Sequence, residues 1–201
     1  MAPIDRKGIW PPYEAFYIEA MVFCTTTALQ AEARVSQHLE LGATFAPESP
    51  DWNSSAYAIV DGIQVIAQQA AALSRYFWPS RSHEPHKSRA IHLRQGLAVS
   101  DDSPLQNRDL RNHLEHFDER LDEVATTGLV GVVLPTYVGP RLEDPQVPAT
   151  LFRAYYTDTG EFEVLGHRFA MQPIADEITL LDARLRECAR NGMRLPSSRG
   201  A

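Results

Sequence analysis

Apolar residues recur along this chain at alternating spacings of three and four, the period of helices that each bury one stripe. The clearest run is Ile59, Ile63, Ile66, Ala70, Leu73 and Phe77, which predicts a helix ended by Pro79. Upstream, a helix is expected from Pro12 to about Leu41, with Phe16, Ala20 and Phe23 opening its apolar stripe. Gly42, Pro47 and Pro50 then read as breakers. Residues 80–87, SRSHEPHK, form a polar loop in this reading, and 88–99 a shorter helix with Ala90, Leu93 and Leu97 facing inward. Ser100-Asp101-Asp102-Ser103-Pro104 offers capping residues and an initiating proline for a fourth helix. There Leu110, Leu114, Phe117, Leu121 and Val124 repeat the spacing, and Gly128 closes it.

The pattern then changes. Residues 129–135 are a short apolar run, and Pro140, Pro145 and Pro148 mark an extended surface loop. Residues 151–156 and 161–165 flank Thr157-Asp158-Thr159-Gly160 and alternate as strands do, which predicts a hairpin whose second strand continues through 167–171. Pro173 opens a last helix in which Ile174, Ile178, Leu181, Leu185 and Cys188 form the seam. The predicted class is mainly α. A four-helix bundle over 12–127 is followed by a β-hairpin and C-terminal helix over 128–192 packed on it, with a frayed tail at 193–201.

Composition places the chain among ordinary folded proteins, at 44% hydrophobic and 22% charged. No apolar run reaches the roughly 18–20 residues of a membrane span, and MAPIDRKGIWPPYEAF lacks the apolar core of a secretory signal. A cytoplasmic protein with Cys24 and Cys188 as reduced, buried thiols is therefore expected. The formal charge of −7 argues against an extended nucleic-acid grip, which needs many neutralised phosphates.

Candidate chemistry concentrates in the fourth helix, RDLRNHLEHFDERLDEV from Arg108. Opposite its apolar stripe lie Arg108, Asn112, Glu115 and Glu119, with Arg111 and His116 on the flanks, about 140° apart at 100° per residue. One straight helix does not aim both at a single phosphate, whereas two copies related by a two-fold axis would share a cleft holding two arginines and two histidines. The run Arg111-Asn112-His113-Leu114-Glu115-His116 resembles the signature of the HEPN superfamily, an arginine and a polar residue followed a few positions later by a histidine.

The resemblance covers roughly residues 12–127 and implies an all-α bundle that acts as a homodimer. Catalytic HEPN members are metal-independent ribonucleases, many of them toxins or phage-defence effectors. It implies that Arg111 stabilises phosphate charge, that His116 moves a proton or positions the ribose 2′-hydroxyl, and that Asn112 orients one of them. Arg108 and Arg120 are then the candidate substrate-binding residues, with RNA as substrate, no cofactor or metal, and a neutralising partner protein to restrain the activity. Histidine suits this role because its pKa of about 6.5 lies near neutrality.

Other readings compete. Asp118, Glu119, Asp122 and Glu123 would repel a phosphate, and Arg111 could simply pair with Glu115 while His116 packs beside Arg120. A catalytically silent dimerisation or interaction module follows from that arrangement. His83 with His86, and His113 with His116, have metal-ligand spacing but read as solvated histidines. Arg75, Arg81, Lys87, Arg89 and Arg94 form a basic stretch beside Tyr76, Phe77 and Trp78, which read as packing aromatics. No phosphate-binding glycine loop, nucleophile elbow or Cys-x-x-Cys is present.

Overall fold

The computed structural model of the chain describes residues 8–47, 49–81, 83–129, 131–141 and 149–196. Among them are six α-helices and one four-stranded sheet. The order is α1 (Glu14–Gly42), α2 (Pro50–Phe77), α3 (His86–Gly96), α4 (Arg108–Glu115), α5 (Phe117–Thr127), β1 (Val132–Gly139), β2 (Ala149–Tyr156), β3 (Glu161–Val164), β4 (His167–Ala170) and α6 (Gln172–Arg190). No helix among the described residues is long and apolar enough to cross a membrane.

Two long antiparallel helices, α1 and α2, form the centre. The seam foreseen in α2 is buried from Ile59 to Phe77. Its start lies well upstream of that seam, because Ser49 caps it, accepting a 3.1 Å bond from the Trp52 N–H, and Pro50 occupies the first turn. Pro50 is thus an initiator, its fixed φ and missing N–H both suited to a helix N-terminus. In α1 the expected stripe is the wrong face. Phe16 and Phe23 are each 70% exposed, while Ile18, Met21, Ala28, Ala31 and Val35 form the buried side. Small residues there let the helices close. A Cβ at Gly62 would sit 2.5 Å from Val35 Cγ2 and 3.3 Å from the Ala31 carbonyl oxygen.

The last helix joins the same core. Ile174, Ile178, Leu181, Leu185 and Cys188 cluster with the buried faces of α1 and α2, each large apolar side chain contributing about 1.5–3 kcal/mol by burial. Buried Asp182 ties α6 to α1, accepting from Thr25 Oγ1 at 2.7 Å and from Arg186 Nε at 2.6 Å. Of the C-terminal stretch read as frayed, Leu195 is buried and its N–H donates to the Glu14 carboxylate at 3.1 Å. Residues 197–201 lie outside the described residues, as do 142–148 of the predicted proline-rich loop.

The sheet is larger than a hairpin and mixed. The β2–β3 hairpin forms across Thr157–Gly160, but the second strand does not run on past Gly166. Leu165 and Gly166, at φ 47 and 84, turn the chain back into a separate β4, the two positive φ values matching a tight hairpin turn. The apolar run after residue 128 becomes β1, parallel to β2. Pro135 lies within β1 yet breaks nothing, because β1 is the sheet's outer strand and the paired register passes over that position.

Candidate functional site

Asn107 builds the N-terminus of α4, its side-chain oxygen accepting from the N–H groups of Asp109 at 2.9 Å and Leu110 at 3.2 Å. Leu110 and His113 anchor the helix against the rest of the protein. The straight fourth helix foreseen from 108 to 127 is instead two helices joined at His116, whose φ of −115° and ψ of 35° lie outside the helical region. Its N–H donates to the Asn112 carbonyl at 3.1 Å, and its own carbonyl accepts from the Arg120 N–H at 3.0 Å. Neither proline nor glycine stands here. The two sides differ in packing: α4 buries Leu110 and His113, whereas α5 buries no residue and rests Phe117 beneath Arg153 of β2, guanidinium carbon 4.1 Å from the ring centroid.

The break replaces the 140° separation of a straight helix. Arg111 lies on the inner side, its side chain only 11% exposed, with Nε 4.0 Å from Glu115 Oε2. Its Nε and Nη1 are buried without a hydrogen-bond acceptor. Glu115 also pairs with Arg75 of α2, so one carboxylate serves two arginines from two helices. His116 faces solvent at the joint, Nδ1 3.4 Å from Glu119 Oε2. Asn112 is exposed and meets His116 through its backbone. Arg120 turns to Glu123 at 2.9 Å. Arg108 is exposed and borders two surface hollows, one with Trp78 at the α2–α3 corner and one with Phe169.

Sequence reasoning underrated His113. Expected to be solvated, it is buried, its Nδ1 2.7 Å from the Asp109 carbonyl, and its Nε2 has no partner. The ring meets His167 of β4 at a 48° tilt with centroids 3.9 Å apart, and Phe169 stands 5.6 Å away. Partial desolvation, then the neighbouring His113 and Arg120, lower the pKa of the exposed His167 below its usual 6.5. The only advance signal was the position of 113 three residues after Leu110 on the inward stripe.

Among the described residues no three His, Cys, Asp or Glu side chains converge as a metal-binding group. Cys24 and Cys188 are free and buried, and burial raises both thiol pKa values, which suppresses nucleophilic thiolate. A second buried polar cluster lies in the sheet: Tyr156 donates to Glu163 at 2.8 Å, and Arg168 Nε donates to the same oxygen at 2.6 Å. That cluster faces strand neighbours and holds the sheet together.

No family model, curated protein or solved structure matches the chain.

Proposed function

We propose that the chain is a HEPN-like, metal-independent endoribonuclease acting as a homodimer, with α1 to α3 and the α4–α5 pair as the helices of the bundle. The observation that carries this reading is the Arg111 guanidinium, nearly buried and lacking acceptors at Nε and Nη1, five residues before a solvent-facing His116. A buried donor left unmade costs about 1–3 kcal/mol, so an incoming phosphate oxygen has something to relieve. Arg111 would take the phosphate charge and Asn112 would orient the strand.

His116, or its copy across a two-fold axis, would take the proton of the ribose 2′-hydroxyl as that oxygen attacks phosphorus. The leaving 5′-oxygen takes a proton from the opposing imidazolium, and a 2′,3′-cyclic phosphate remains. Toxin-like action restrained by a neutralising protein fits such chemistry, and the cell interior is where the substrate lies.

A second reading rests on a different observation. Glu115 holds Arg111 and Glu119 holds His116, the arrangement of a catalytically silent interaction module whose acidic α5 meets a basic partner.

The deciding experiment is incubation of purified protein with total RNA in EDTA beside Arg111→Ala and His116→Ala variants. Cleavage by the parent, lost in both variants and leaving cyclic-phosphate ends, supports the nuclease. No cleavage by parent protein supports the module.

A further inference from the structure

Positive charge collects at one corner of a molecule whose net charge is −7. Where α2 gives way to α3, Arg94 is fixed from two sides. Its Nη1 donates to the Phe77 carbonyl at 2.8 Å, and its guanidinium carbon lies 5.6 Å from the centroid of the buried Trp78 indole. A hollow of about 280 Å³ opens beside it, and Arg81, Lys87 and Arg108 line it together with Arg94, Trp78 and Ile91. No carboxylate lines it. The nearest acid to Arg94 is the exposed Asp101, 3.4 Å from Nε and outside the hollow. Glu84 is turned to the Ser88 N–H at 3.2 Å. Arg81, Lys87 and Arg108 are exposed and form no ion pair among the described residues.

Three unpaired cations around a fixed fourth suit a small anion that offers several oxygens at once. Arginine forks and a lysine point charge are what phosphate takes. The indole is too deeply buried to stack a base, so the hollow reads charge rather than sequence. Its place gives direction: Arg108 opens α4, and Arg111 follows three residues later, about 4.5 Å along the helix and on a neighbouring face.

We propose that this hollow binds a backbone phosphate of single-stranded RNA and leads the strand along α4 towards Arg111 and His116. Phosphate as the bound group follows from the hollow itself, whereas RNA as its source rests on the ribonuclease reading above.

The test uses the full chain and a short, fluorescently labelled 2′-O-methyl RNA, which binds but is not cut by 2′-hydroxyl attack. Anisotropy is read across a salt series for the parent and for an Arg81→Gln/Lys87→Gln/Arg108→Gln variant. All three side chains are exposed, so an unchanged melting profile is expected. The variant should bind at least tenfold more weakly, and its log–log salt slope should be shallower by about 0.7, the share of one single-strand phosphate contact. An Arg34→Gln/Arg141→Gln control should stay within about twofold of the parent.

Equal binding by parent and triple variant overturns the proposal, as does no RNA binding by the parent or a control that loses as much. Inorganic phosphate that binds where RNA does not overturns the RNA source. Binding through the hollow by a parent that cuts no RNA removes the nuclease reading and leaves the hollow standing.

Discussion

The imidazoles of His113 and His167 meet at a 48° tilt with their ring centroids 3.9 Å apart, one on α4 and the other on β4. The pair joins the helix that carries the candidate site to the sheet, and it does so with no hydrogen-bond partner on His113 Nε2.

Acid should loosen that joint. The folded His167 pKa lies below its usual 6.5 because partial desolvation, then neighbouring His113 and Arg120, oppose protonation, against smaller help from Asp109 and Glu163. The unfolded chain therefore binds the proton more readily. Stability is full above about pH 6.5 and falls from there down to the lower folded value, then levels. Denaturant midpoints between pH 7.5 and 5 should show a small loss, and His167→Gln should lessen it. An unchanged slope in that variant would place the acid sensitivity elsewhere.

Glu115 holds Arg75 and Arg111 at once. With its side chain 37% exposed, Glu115→Gln should change stability by less than about 1 kcal/mol. Release of Arg111 should raise RNA cleavage several-fold under the nuclease reading. Lower cleavage in a protein of unchanged melting temperature would mean that the carboxylate orients the arginine rather than occupying it.

The Tyr156–Glu163–Arg168 cluster is a stability device. Glu163→Ala removes the shared acceptor of two bonds from a buried position and should cost roughly 2–4 kcal/mol, discounted for partial exposure of Arg168. Tyr156→Phe should cost about 1 kcal/mol. Burial and the Glu163 bond push the Tyr156 phenol from 10.0 up to about 12. Its contribution is complete below pH 10 and is lost as pH rises towards 12, a fall that Tyr156→Phe should lessen in alkaline melts.

Gly62→Ala should destabilise despite the better helix propensity of alanine, worth about 1 kcal/mol. The added methyl meets Val35 Cγ2 and the Ala31 carbonyl, and such overpacking costs about 1–3 kcal/mol. In a Val35→Ala background the same change should cost less or turn favourable. Equal cost in both backgrounds would point to the carbonyl as the obstacle.

The α2 seam was legible because large aliphatic residues mark its buried face without a competing stripe. In α1 the large aromatics Phe16 and Phe23 stand outside and alanines line the contact with α2, so residue size pointed to the wrong side. Pro50 is read correctly only together with Ser49. The parallel pairing of β1 with β2 carries no local signal, since it joins strands through the chain's three-dimensional path. At the candidate site the spacing of Arg111 and His116 was readable. The break between them was not, for it depends on what Phe117 packs against, and neither was Arg75 reaching Glu115 from another helix.

The joint at His116 also divides the chain by ease of opening. Helix α4 is tied into the core through Leu110 and His113, whereas α5 buries no side chain fully and rests on the core through half-buried Phe117. Amide hydrogens beyond residue 116 should exchange with solvent through a local opening of low free energy, while those of α4 wait for a larger one. His116 is the boundary residue, so a substitution there alters two properties together: the imidazole available for proton transfer and the frequency with which α5 lifts away. Pairing every His116 variant with an exchange measurement tells the two apart.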